Sequence, residues 1–130
     1  MAAMKNQSLL RITLACALIV LVNACATAPQ TGPAALVGQW TNSLGTVWTM
    51  NPDGTFHVVG TKPKRHIWGN ITVAGDTITI QETRGNAPKN CKLPATYKFR
   101  RPDANTLAFT LVKDTCKERI KNVTQPWHRQ

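Results

Sequence analysis

The residue types able to do chemistry in this 130-residue chain are four cysteines, three histidines, six carboxylates and a marked excess of cations. Thiols form thioethers and disulfides or bind metal, imidazoles and carboxylates move protons, and clustered Lys and Arg hold anions. Spacing removes most of these options. His57, His66 and His128 are too scattered to form a metal motif. Asp53, Asp76 and Asp103 stand in Asn-Pro-Asp-Gly, Gly-Asp and Pro-Asp-Ala-Asn stretches, where turn chemistry explains them. Glu82 has no evident partner, and there is no glycine-rich phosphate loop, zinc-ligand spacing or nucleophile motif. No cofactor, metal site or enzymatic activity is expected. What survives is the cysteines and the cations, 16 Lys+Arg against 6 Asp+Glu.

The N-terminus decides which of these belong to the folded part. The run from Leu9 to Val22 is almost wholly apolar and carries Lys5 and Arg11 at its start. At about 14 residues it is shorter than the ~20 that span a bilayer, and small residues follow it, as in an export signal. Val22-Asn23-Ala24-Cys25 resembles the bacterial lipobox, with Asn23 more polar than is usual at its place. The resemblance implies a signal peptide over residues 1–24 and a diacylglyceryl thioether on Cys25, which becomes the new N-terminus. Ala26, rather than Asp, implies sorting to the outer membrane, with the domain in the periplasm or at the surface. Several acyl chains hold a protein firmly where one is marginal, at ~0.8 kcal/mol per buried methylene. The partner so implied is the membrane, reached through lipid.

Removal of residues 1–24 takes Lys5, Arg11 and Cys16 and no acidic residue, so 14 basic side chains still face 6 acidic ones. With Cys25 acylated, only Cys91 and Cys116 remain. Two thiols in a small domain in an oxidising compartment are most simply a disulfide. It would close a loop of ~25 residues, worth on the order of 3 kcal/mol in the chain-entropy model.

These groups need elements to position them. A composition of 42% hydrophobic and 17% charged residues is that of a single globular domain, not of a disordered polycation. Residues 25–35 read as a flexible tether with two prolines. From residue 36 to 130 short period-2 segments alternate with turn residues at intervals of about 10, the signature of an antiparallel sandwich or barrel. Strands are expected over 36–42, 46–51, 55–60, 66–73, 77–83, 95–101, 106–111 and 125–130, with at most one short helix within 114–122. The fold class is therefore all-β. An eight-stranded up-and-down barrel is the preferred closure, because it leaves no exposed edge.

A simple meander sorts the connections between two ends. One end receives the three tight aspartate-containing turns. The other receives the longer loops with Lys62, Lys64, Arg65, Arg84, Lys89, Lys92, Lys113, Lys117, Arg119 and Lys121, and also both Cys91 and Cys116. The tether enters at the tight-turn end, so the basic end faces away from the anchor. Trp48, Met50, Phe56, Val58, Ile78, Ile80, Tyr97, Phe99, Leu107, Phe109 and Leu111 point inward. Eight-stranded barrels with such residues are either filled or hollow, and the pattern leaves both open. Ile67 and Trp68 alternate, so one of the two faces outward.

Gly38-Gln39-Trp40, Asp53-Gly54-Thr55-Phe56, and Asp114-Thr115-Cys116 with Arg119 together resemble the small bacterial lipocalin-like domains over most of residues 36–130. The resemblance implies an eight-stranded barrel, structural roles for Gly38 and Trp40, and an arginine near the C-terminal strand covering Trp40. Arg119 and Arg129 are the two candidates for that arginine. The strands are shorter than those of full lipocalins, which argues against a deep calyx.

The functional expectation follows from location and charge. Lys62, Lys64, Arg65, Arg84, Lys89 and Lys92 are expected to hold an anionic lipid or amphipathic small molecule at the basic end. The alternative is a protein partner, with the disulfide-bound loops inhibiting or engaging an envelope or secreted enzyme. The Lys62–Trp68 stretch would also suit nucleic acid, by phosphate neutralisation and base stacking. Export disfavours that partner, since lipid and cell-wall phosphates are met first.

Overall fold

A computed structural model describes residues 28–130. The expected signal peptide over residues 1–24 and the expected lipidation at Cys25 lie outside the described residues.

Eight strands follow in chain order: β1 (Gly38–Asn42), β2 (Val47–Met50), β3 (Thr55–Thr61), β4 (Lys64–Ala74), β5 (Thr77–Gly85), β6 (Ala95–Asp103), β7 (Thr106–Lys113) and β8 (Trp127–Arg129). One helix, α1 (Lys117–Val123), lies between β7 and β8. Each strand pairs antiparallel with its neighbour in sequence, and β8 returns to β1 through Trp40 opposite Arg129 and Asn42 opposite Trp127. The chain is thus the closed all-β meander that its periodicity implies. The tight turns form as their residues dictate. Asp53 accepts from the Thr55 N–H at 2.9 Å, and Gly54 takes φ 84°, which favours glycine.

Three local expectations are corrected. The loop expected over residues 61–65 is a two-residue hairpin, because the ladder continues through Gly60 opposite Arg65 to Thr61 opposite Lys64. Pro63, which has no N–H to give a ladder, sits at the tip. Leu111, expected inward, is 41% exposed. The β6–β7 register shifts between Thr96 and Tyr97, and β8 pairs with β7 only at Thr106 and Leu107, so the far end of β7 stands beyond the core.

Residues 32–35, expected within the tether, belong to the folded unit. Pro33–Ala35 form a short 3₁₀ turn, the Gly32 N–H donates to Gly75 O at 2.9 Å, and Ala35 and Leu36 are fully buried. This segment plugs the tight-turn end. Trp40 Nε1 donates to Leu36 O at 2.8 Å. Arg101, buried in the same place, donates to Ala35 O at 2.7 Å, to Thr106 O at 3.0 Å and to Ala104 O.

Arg101 and Arg129 both lie over the Trp40 ring, with guanidinium carbons 4.7 and 4.4 Å from its centroid. Of the two candidates to cover Trp40, Arg129 therefore does so and Arg119 does not. Arg101 joins it because it continues the inward parity of Tyr97 and Phe99 along β6. Gly38 is needed here for two reasons. Its φ is 137°, and a Cβ would meet Arg129 Nη1 at 2.5 Å.

Candidate functional site

The interior is filled toward the tight-turn end and hollow toward the other. Met50, Ile78, Phe99 and Leu107 pack solidly above the plug. Trp48 then spans the barrel, stacked on Phe109 at 5.4 Å and edge-on to Trp127 at 5.4 Å and Phe56 at 5.9 Å. Beyond this aromatic floor lies a cavity of about 540 Å³. Its apolar wall includes Trp48, Phe56, Val58, Ile67, Ile80 and Trp127, and its rim includes Lys62, Arg65, Glu118 and Lys121.

The wall is held by a buried ionic network. Cys91 and Cys116 form the expected disulfide, with Cα atoms 4.7 Å apart. Cys116 also caps α1, its sulfur accepting from the Arg119 N–H at 3.2 Å. Arg119 then spends every donor it has. Nε and Nη2 bind Asp114 at 2.7 Å each, Nη1 binds Glu82 Oε1 at 3.2 Å and Cys91 O at 2.8 Å, and Nη2 also binds Leu93 O at 2.9 Å. Glu82 thus has a partner after all, supplied by a residue 37 positions away.

Asp114 accepts further bonds from the Tyr97 hydroxyl at 2.5 Å and the Cys116 N–H at 2.8 Å. Burial alone would raise the Asp114 carboxyl, but the bonds from Arg119, Tyr97 and Cys116 together hold it below the usual aspartate range. For Glu82 the balance is opposite. Burial pushes its carboxyl up by more than Arg119 pulls it down. One cation therefore serves two carboxylates, and the buried polar cluster has no cationic donor to spare for an added anion.

The six expected cations do not converge. Lys62 and Arg65 reach the cavity, and Arg65 also donates to Asn86 O at 2.6 Å. Lys64 is the exposed neighbour of Arg65 on β4, since adjacent strand residues face opposite ways. Arg84 and Lys92 border a separate shallow groove with Thr83 and Ala87, and Lys89 lines neither. Lys121, absent from the expected set, lines the cavity because α1 turns one face over it.

Trp68 and both nearby histidines lie on the outer face of the barrel. Arg84 sits 4.0 Å over Trp68, Trp68 stacks on His57 at 4.6 Å, and His57 Nε2 is 3.2 Å from His66 Nδ1. The shared bond needs one imidazole to donate and the other to accept. Burial first, then the charges of His66 and Arg84, hold His57 below its usual value. Among the described residues the closest grouping of potential metal ligands is Cys91, Cys116 and Glu118, and both sulfurs are committed to the disulfide.

No family model, curated protein or solved structure matches the chain. The reading of the site therefore rests on its own geometry. Alternation along β5 was the signal for Glu82, which follows Ile78 and Ile80 at period 2 and must face inward with them. Nothing in the sequence separates Lys121 from the cations around it.

Proposed function

We propose that this protein is a cell-envelope lipoprotein of the small lipocalin-like kind, anchored through Cys25, that binds an anionic amphipathic molecule or lipid inside its barrel. The reading is of a binding protein, not an enzyme. The observation that carries it is the cavity of about 540 Å³, apolar within and rimmed by Lys62, Arg65 and Lys121. Its volume lies in the range of small-molecule sites, ~300–1,000 Å³. The hydrocarbon part meets Trp48, Phe56, Val58 and Ile67, and the anionic head meets the rim. Lys64, Arg84, Lys89 and Lys92 add long-range attraction that salt screens over ~8–10 Å. The chain enters the barrel at the plugged end, so the rim points away from an N-terminal lipid.

Native mass spectrometry of the full chain, extracted from the membranes of a Gram-negative host, tests anchor and cargo together. The expected spectrum shows an acyl mass on Cys25 and a retained small molecule. An unmodified N-terminus would refute the anchor. An empty barrel that also fails to take up dodecanoate in a tryptophan-fluorescence titration would refute binding. Uptake that is unchanged in Lys62→Glu/Lys121→Glu would remove the rim from the reading.

A different observation favours the interaction reading. Leu93, Leu111 and Val112 are 61, 41 and 55% exposed, where the disulfide-bound loop leads into β6 and where β7 ends. Co-purification of an envelope protein that Leu93→Ser/Val112→Ser releases would shift the assignment to it.

A further inference from the structure

β7 has one edge that the barrel does not pair. β8 runs beside it only at Thr106 and Leu107, and the residue before Trp127 is Pro126, which has no N–H to carry the ladder further. From Ala108 to Lys113, β7 is therefore paired with β6 alone. Among the described residues no turn or loop backbone bonds to this stretch. In an antiparallel strand alternate residues aim both N–H and C=O at the same neighbour, so alternate residues here present both groups to the side that β8 has left. The edge is accessible. Thr110, Leu111, Val112 and Lys113 are all exposed, Leu111 by 41% and Val112 by 55%.

The β6–β7 register says which side chains an added strand would meet. Phe109 stands opposite Phe99 and Leu111 opposite Tyr97, while Thr110 stands opposite Lys98 and Lys113 opposite Thr96. Tyr97 and Phe99 are buried and Lys98 is exposed, so the first two pairs face inward and the other two outward. Leu111 shares the inward parity of Phe109 but has no strand beside it to cover it. A strand laid along this edge would cover Leu111 with its inner face. Its outer face would meet Lys113 and, across the short Thr110 side chain, Lys98. A second copy of the chain fits poorly, because its own β7 brings the same lysines into one sheet. Lysine at an edge deters such pairing between copies, and the same charge favours an acidic strand.

We propose, on the reading that the exposed end of β7 engages a protein, that the partner docks by strand addition: an extended segment with alternating apolar and acidic residues pairs with Ala108–Lys113. Backbone hydrogen bonds supply the affinity and the alternate side chains the selectivity. What fills the cavity has no part in this contact.

The test titrates the full chain with acetyl-Glu-Val-Glu-Val-Glu-amide and follows backbone amides by NMR and hydrogen exchange. The expected result is saturable shifts at Ala108–Lys113 and about tenfold or more slower exchange of the alternate amides that β6 leaves free. The Lys-Val-Lys-Val-Lys counterpart should bind about tenfold or more weakly, and the exposed pair Lys98→Glu/Lys113→Glu should reverse that order. The fully N-methylated peptide keeps the side chains without the N–H groups and should not bind. Shifts confined to other strands, equal binding of the two charge patterns, or binding of the N-methylated peptide overturns the proposal. A dimer of the free protein that slows the same amides overturns it in favour of a second copy. If the peptide fails while an envelope protein still co-purifies in a Leu93- and Val112-dependent way, strand addition is refuted and the interaction reading stands. Failure of both refutes that reading as well.

Discussion

Asp114→Asn is the sharpest test of how the hollow end is held. The two Asp114 oxygens accept from Arg119 Nε and Nη2, the Tyr97 hydroxyl and the Cys116 N–H, at 2.5–2.8 Å. The Asp114 side chain is 0% exposed and that of Arg119 6%. Asparagine has the same shape but offers one acceptor oxygen, and its amide N–H₂ must point at another donor. Breaking a buried pair in this way costs ~3–5 kcal/mol, since a desolvated charge is left behind. Glu82 still touches Arg119 at 3.2 Å, so the lower end, about 3 kcal/mol, is expected. In a domain of this size that lowers the melting temperature by ~12 °C or more. Urea unfolding with the disulfide intact is the assay, and the midpoint should fall without a change in m. The pH profile supplies a second reading. A carboxyl held below its usual value contributes stability above ~3.9 that is lost as pH falls through the folded value, so the variant should lose this acid-limb dependence. A loss below ~1 kcal/mol, the worth of an exposed pair, would refute the claim that this network anchors α1.

Removing the disulfide as Cys91→Ala/Cys116→Ala should cost about 3 kcal/mol, measured against the oxidised protein in the same urea titration, because 25 positions separate the two residues. Arg101→Met should strand the carbonyls of Ala35, Ala104 and Thr106 and cost ~2 kcal/mol or more, with faster amide exchange at Leu36 as the plug loosens. His57, held below its usual value by burial and then by His66 and Arg84, contributes stability that is complete above ~6.5 and lost as pH falls through the folded value. His57→Gln should accordingly flatten the fall in melting temperature that the parent shows on acidification below about pH 6.5.

The eight strands, their meander order and the sorting of short and long connections were legible because alternation and turn residues are local signals. Ile78 and Ile80 declare the inner face of β5 without help from any other strand. The same logic mispositions Leu111, because β7 keeps its alternation past the point where β8 stops pairing, and only the barrel as a whole sets that point. Lys64 and Arg65 show a second limit. As a loop they read as one basic cluster, but a ladder that extends to Thr61 opposite Lys64 sends them to opposite faces. Arg101 shares the inward parity of Tyr97 and Phe99, but an inward guanidinium becomes intelligible only once the carbonyls of Ala35, Ala104 and Thr106 that it satisfies are in place. Whether the barrel is hollow could not follow from counting large side chains. Trp48 reaches across the interior to Phe109 and Trp127 and makes a floor, so the same residues fill one half and roof nothing in the other.

The closure of that hollow half bears on how a ligand enters. β8 pairs with only two residues of β7, so strand hydrogen bonds do not seal the barrel there. α1 takes their place, and it is fixed through Arg119 to β5, to the carbonyls of Cys91 and Leu93, and through Cys116 to the disulfide. Ties through two residues of one short helix, Arg119 and its cap Cys116, hold that wall, because opening it exposes a buried charge. The opposite side of the rim is different. The tips of the β1–β2 and β3–β4 connections are joined by a bond of 3.4 Å from Thr61 Oγ1 to Leu44 O, at an exposed position. Exposed single bonds of that length contribute little and break locally at low cost. On the proposed binding reading, an amphiphile would therefore pass most easily between these two tips. Lys62 stands in one of them, so the weakly tied hairpin also carries one of the rim cations.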